Sequence, residues 1–292
     1  MTIKATFTAA FPEARRIWEF LERDYAGEGT AISFAERADG QWSVDAYFGG
    51  NDGAEEVAGM LRDWLGADAF TAPLDVEVLP DTDWVASNRE SIRPIAAGRF
   101  ILHGSHHRGL IPPSRFAIEI DAGRAFGTGH HATTAGCLAV LDRLLRTRTF
   151  RNPLDLGAGS GVLAIALAKL LRRPVLATDI DATTVEIARE NARLNGVGGL
   201  MHCVNAAGVD HAAIRRGAPY DLVVANILAE PLMRLAPRVA PLISKGGTLV
   251  LSGLLLHQRE RVVAAYRGQG LRLIEARSFE GWAVLVFRND RS

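Results

Sequence analysis

The sequence predicts two α/β units in one chain: a small α+β domain, then a larger domain built on a doubly wound sheet of seven strands. Three observations carry this. A glycine turn, Gly157-Ala-Gly-Ser-Gly161, joins a short apolar strand to an apolar helix. From residue 153 to the end, strand and helix patterns alternate. Before residue 80 the patterns instead run β-α-β-β-α-β. With 292 residues, 48% of them hydrophobic, the chain can bury one large core or two unequal ones.

Taken in order, residues 2–8 alternate as a strand does. Pro12 to Tyr25 is an amphipathic helix, with Ile17, Phe20 and Leu21 on one side and Arg15, Arg16, Glu22 and Arg23 elsewhere. Ala31 to Glu36 and Trp42 to Phe48 are strands joined across Asp39-Gly40, a hairpin signal. Ala54 to Leu65 is a second helix and Leu74 to Leu79 a further strand, which completes a ferredoxin-like order over residues 1–80. Residues 81–98 carry Trp84, Asn88, Arg89, Glu90 and Arg93, then Pro94 and Gly98, and read as a short helix and an interdomain connector. The second domain spans 99–292. It opens with short strands at Phe100–His103 and Phe116–Ile120, around a loop with His106, His107, Pro112 and Pro113. A second glycine loop follows, Ala125-Phe-Gly-Thr-Gly-His-His-Ala-Thr-Thr134, in which Gly127, Thr128 and Gly129 can fold over a ligand, and Thr133 or Thr134 enters a helix running to Leu145. Strands are expected at 153–156, 174–179, 200–204, 220–225, 247–252, 271–276 and 282–287, and helices at 161–171, 181–194, 207–215, 228–243 and 257–267. The last two strands meet across Glu280-Gly281, which predicts an antiparallel hairpin at the sheet edge.

Composition excludes several classes of function. Net charge is zero, so no long-range field draws the chain to nucleic acid or to an anionic membrane. Cys137 and Cys203 lie far apart without ligand spacing, as in a reduced, cytoplasmic protein. The start, Met-Thr-Ile-Lys-Ala, has no signal segment, and the longest apolar runs are broken by Lys, Arg or Gly, so no membrane span is expected. His103, His106 and His107 have no Cys or carboxylate cluster to complete a metal site, and none is expected.

The chemistry concentrates at strand ends. Gly157, Gly159 and Gly161 leave bare main chain for a ligand to approach. A dinucleotide fingerprint would place its third glycine or alanine five residues after the first, where this chain has Val162. Asp179, 18 residues after Gly161, stands at the distance where a carboxylate accepts from both ribose hydroxyls; the plain reading is a cap or turn. Asp181 suits the cap of the following helix. Asn226 ends the strand Asp221-Leu-Val-Val-Ala-Asn226, where an amide can accept from an incoming amine and donate to a cofactor carboxylate; capping the next helix is compatible with both. Asn205 falls where an adenine would lie, or is a turn residue. His130 and His131 are candidates for moving a proton, against the plainer reading of exposed loop residues.

The run Asp155-Leu-Gly-Ala-Gly-Ser-Gly161 resembles the first motif of class I S-adenosylmethionine (SAM) methyltransferases, in which Asp155 would sit near the cationic methionine end of SAM. Together with Phe126-Gly-Thr-Gly-His-His-Ala-Thr-Thr134, Asp179-Ile-Asp181 and Asn226-Ile-Leu-Ala229, it is similar to the bacterial ribosomal protein L-eleven (L11) methyltransferase family. The resemblance covers the second domain; the first agrees in size and element order. One position varies: His131-Ala132 stands where some members have His-Pro. The family implies a seven-stranded class I methyltransferase domain behind a substrate-recognition domain, SAM as cofactor, and Thr134, Gly157, Asp179 and Asn226 as its ligands. It also implies transfer to lysine ε-amines and the N-terminal α-amine of L11, free or on the ribosome, by a monomer. Two other readings are weighed. An RNA methyltransferase would want an aromatic RNA-binding run, such as Lys/Arg-Gly-Phe-Gly-Phe, in the front strands, which is missing. A non-catalytic SAM sensor, with the front domain only an interaction module, is opposed by the intact glycine loop with Asp179 and Asn226, which argue against loss of catalysis.

Overall fold

The computed structural model describes residues 2–25, 31–37, 39–49, 53–67, 72–79, 94–112, 114, 116–121 and 132–291. The chain divides into two compact units, residues 1–87 and 88–292. Residues 81–93, where the connector and its short helix are expected, and Gly127, Thr128, Gly129, His130 and His131 lie outside the described residues.

In the first unit the elements are β1 (Thr2–Ala9), α1 (Phe11–Tyr25), β2 (Ala31–Glu36), β3 (Trp42–Gly49), α2 (Ala54–Ala67) and β4 (Leu74–Leu79). Their sheet has the order β2-β3-β1-β4, with every neighbouring pair antiparallel. The period of two along β1 sends Ile3, Ala5, Phe7 and Ala9 into the core, where Ile17 and Leu21 of α1 and Val57 and Leu61 of α2 meet them. This is the ferredoxin-like topology read from the sequence.

The second unit begins with a three-stranded sheet of β5 (Ile95–Ala97), β6 (Phe100–His103) and β7 (Ala117–Glu119). Strand β5 falls in the stretch read as connector: it pairs antiparallel with β6 across Gly98, whose φ is +62°. Then come α3 (Ala132–Thr147), β8 (Pro153–Leu156), α4 (Val162–Leu171), β9 (Val175–Asp179), α5 (Ala182–Leu194) and β10 (Met201–Asn205). They are followed by α6 (Ala212–Gly217), β11 (Tyr220–Asn226), α7 (Ala229–Val239), β12 (Ile243–Leu255), α8 (Arg259–Arg267), β13 (Leu271–Phe279) and β14 (Trp282–Asn289).

The large sheet has the order β10-β9-β8-β11-β12-β14-β13. Its first five strands are parallel, and β14 runs antiparallel to both neighbours. Parallel strands need both faces covered. One face buries residues of α3, α4 and α5, including Cys137 and all of Val162 to Ala168; the other buries residues of α7 and α8. Cys137 and Cys203 are both buried and unbridged. Glu280 and Gly281 carry φ of +47° and +85°, so the β13–β14 connection is the two-residue hairpin turn with both central residues left-handed.

Two helices differ from expectation. Helix α6 starts at Ala212 rather than 207, because Gly208 turns the chain at φ +63° and the His211 ring caps the later start through the Ala213 N–H. Helix α7 ends at Val239, and Ala240–Leu242, with Pro241, tightens into a single 3-10 turn.

Candidate functional site

The strand order reverses between β8 and β11, and in such sheets ligands bind beyond the carboxyl ends of the strands at that point. The glycine turn leaves β8 there. Gly157, Gly159 and Gly161 have φ of +72°, +56° and +84°, a region open to glycine at little cost. The turn is braced from three directions. The Thr178 carbonyl accepts from the amides of Gly157 (2.8 Å) and Ala158 (2.9 Å). The Asn191 side chain of α5 donates to the Ser160 carbonyl at 2.9 Å. The Asp179 carboxylate accepts from the Gly159 N–H at 2.8 Å through Oδ2 and from the Asp181 N–H at 3.1 Å through Oδ1. An ionised carboxylate has about four acceptor positions, so Asp179 keeps one on each oxygen for a pair of hydroxyls. Asp181 caps α5, accepting from the Thr183 and Thr184 amides as expected.

Asp155 has no accessible surface. Its Oδ2 accepts from the Ala164 N–H at 2.9 Å, in the first turn of α4, and its Oδ1 has no partner. Burial pushes its carboxyl up to about 7; the Ala164 amide opposes the shift and the Asp179 charge adds to it. Asn205 is also tied down. Its Nδ2 donates to the carbonyls of Asp179 (3.2 Å) and Ile180 (2.8 Å), the turn role, while its oxygen stays on an exposed residue.

Asn226 stands at the end of β11. One end of its carboxamide faces the hydroxyls of Thr133 (3.5 Å) and Thr134 (3.4 Å) at the start of α3. The other end is buried and has no hydrogen-bond partner. A buried amide group without a partner costs about 1–3 kcal/mol, so a bare end at a strand terminus marks a place for a ligand group. Thr134 is itself fully buried.

Three features escaped the sequence reading. Ile180 and Leu228 are 74% and 56% exposed, one residue after Asp179 and two after Asn226. The signal was available, since each is a bulky apolar residue where a turn would favour a polar one. The Asn191 brace was not legible, because an asparagine inside a helix pattern carries no mark of what it will meet. Gly157 also differs in kind from a simple ligand cradle: a Cβ there would lie 2.4 Å from Ile227 Cγ2. Among the described residues no cluster of three or more His, Cys, Asp or Glu is placed to hold a metal, and no helix is long and apolar enough to cross a membrane.

The chain is similar to known proteins along most of its length. The family model for ribosomal protein L11 methyltransferase (PrmA) matches residues 16–290. A ribosomal protein L11 methyltransferase of Mesorhizobium japonicum is 47% identical over 285 residues, covering 97% of this chain and 98% of that relative. One of Rhodopseudomonas palustris is 45% identical over 291 residues, covering 98% of each. Among solved structures, a ribosomal protein L11 methylase from Lactobacillus delbrueckii subsp. bulgaricus superposes with a TM-score of 0.61 at 28% identity, over 68% of this chain and all of that one.

Proposed function

Because the chain belongs to the ribosomal protein L11 methyltransferase family, we propose that it methylates amines of ribosomal protein L11, with SAM as donor. It is a methyltransferase with the class I fold. The acceptors in this reading are lysine ε-amines and the N-terminal α-amine. The single observation that carries it is the bare, buried end of the Asn226 carboxamide at the switch point of the sheet.

The residues present fit SAM. The glycine turn takes left-handed angles at the carboxyl end of β8, Asp179 keeps two acceptor positions for a ribose, and Ile180 offers an apolar face to a base. Gly157, Gly159, Asp179, Thr134 and Asn226 would hold the cofactor, Asn205 would reach the base through its oxygen, and the loop of Gly127, Thr128 and Gly129 would cover the methionine end. Bound there, SAM would supply an electrophilic methyl group. The rest falls to the chain. A lysine ammonium, of pKa about 10.4, has no lone pair and must first lose its proton. The neutral Asn226 oxygen accepts an N–H of the free amine without taking the proton, which leaves to water, and so turns the amine lone pair to one direction. Asp155 ties β8 to the first turn of α4 by accepting from the Ala164 N–H. Such alignment in a dry site is worth up to about 7–11 kcal/mol in favourable systems.

In the same reading residues 1–80 hold L11 and residues 99–292 carry transfer, in a cytoplasmic monomer that reads no nucleic acid directly. The test is transfer of labelled methyl groups from SAM to purified L11, with naked ribosomal RNA in parallel. Label on lysines and the N-terminus of L11, located by mass spectrometry, is the expected result. Label on RNA alone refutes the reading.

A further inference from the structure

Strand β12 passes beside Asn226, and it is irregular there. On the β11 side Ser252 pairs with Asn226, the last pair of that ladder. On the β14 side the register slips: Leu251 pairs with Leu285 but Leu254 with Ala283, so Ser252 and Gly253 together oppose one residue of β14. That is a β-bulge, a feature that bends a strand and re-aims what lies next to it. Gly253 has φ +83°, and a Cβ built on it would lie 2.4, 2.7 and 2.8 Å from the O, C and N of Ile227. All three are main-chain atoms, which cannot rotate out of the way as a side chain does. From its other side the same residue is met by Gly157, against Ile227 Cγ2. The Ile227 residue is thus held between two glycines, its side chain toward one and its main chain toward the other.

We propose that Gly253 is a positioning residue for methyl transfer: its missing side chain lets the β12 bulge seat the Ile227 main chain, and this fixes where the bare end of the Asn226 carboxamide stands. The proposal rests on the role given to Asn226 above. Any side chain at residue 253 must displace the Ile227 main chain, and Asn226 moves with it. Misplacement of a reacting group by about 1 Å costs on the order of 10²-fold in rate.

Gly246 provides the control. It lies on the same strand with φ +71°, and a Cβ there would meet nothing within 4 Å. Gly246→Ala therefore carries the left-handed strain without the collision. In the full-length protein, with rates expressed per titrated SAM-binding site, Gly253→Ala is expected to lower kcat for L11 about 100-fold. Gly246→Ala is expected to stay within about twofold of the natural chain, the scatter of uncoupled sites. In the Asn226→Ala background, followed in long single-turnover incubations, Gly253→Ala is expected to cost no more than about twofold further, because the group it misplaces is already gone. A purely structural role predicts the full loss in both backgrounds. The proposal is overturned if Gly253→Ala lowers kcat no more than Gly246→Ala, or if its effect is undiminished in the Asn226→Ala background. If Gly253→Ala does not fold alone, it is made in the Asp155→Asn background, which is expected to be stabilised above about pH 7, with Asp155→Asn alone as the reference; a loss of kcat there no larger than that from Gly246→Ala overturns the proposal. Full activity of Asn226→Ala alone would instead refute the role of Asn226.

Discussion

Replacing Asp155 by Asn tests the buried carboxyl beneath the glycine turn. Burial carries that group from 3.8 to about 7, so the folded chain binds its proton more tightly than the unfolded chain does. Below about pH 4 both states are protonated and the stability linked to this proton is fully present. Between about pH 4 and about pH 7 the unfolded chain ionises while the folded one keeps its proton, so the stability contribution falls as pH rises. Above about pH 7 the folded protein carries a buried charge with a single hydrogen bond. Each pKa unit is worth about 1.4 kcal/mol, which sets the scale at a few kcal/mol. Asparagine keeps an oxygen for the Ala164 amide and cannot ionise. For a unit of this size about 1 kcal/mol moves the unfolding midpoint by about 2–4 °C. Relative to the natural chain, the midpoint of Asp155→Asn is expected to rise by about 5–10 °C between about pH 5 and about pH 8.5. Thermal unfolding followed by circular dichroism across that range measures it, and titrating groups not coupled to Asp155 cancel in the difference. Parallel curves for the two proteins would refute the buried, proton-bearing Asp155.

Other perturbations have equally definite outcomes. Gly157→Ala combines a left-handed alanine, costing about 1–2 kcal/mol, with a Cβ forced onto Ile227 Cγ2; it should destabilise by about 2–4 kcal/mol in urea unfolding and weaken SAM binding. Gly196→Ala, with φ +70° and open space around it, should cost only the first part. Asp179→Ala leaves the Gly159 and Asp181 amides without their acceptor and removes the carboxylate proposed to hold the ribose, so calorimetry should find SAM affinity lowered at least about tenfold, about 1.4 kcal/mol. Removing residues 1–80 should preserve SAM binding and abolish methylation of intact L11; normal methylation by the truncated chain would dismiss the recruiting role of the front domain.

The parts of the fold set by local chemistry were legible in the sequence. The period of two in β1, the triple glycine and the Glu280-Gly281 turn each admit one backbone arrangement, and each forms as read. Asp181 and its cap were legible for the same reason. What was hidden depends on contacts between distant residues. Nothing around Asp155 in the chain says that α4 will cover it, and Asn205 looks the same whether its amide meets a ligand or two carbonyls. The bulge at Ser252–Gly253 is invisible because an apolar strand with one glycine reads as regular until two neighbours disagree in register.

The two cysteines have a practical consequence. Burial holds the Cys137 thiol up at about 12 and raises that of Cys203 as well, with 0% and 4% of each residue open to solvent. Alkylating and oxidising reagents attack the thiolate, so both sulfurs are silent toward them while the sheet is closed. The chain therefore carries two natural reporters of its own opening, whose labelling rate follows the escape of the core to solvent without any engineered probe.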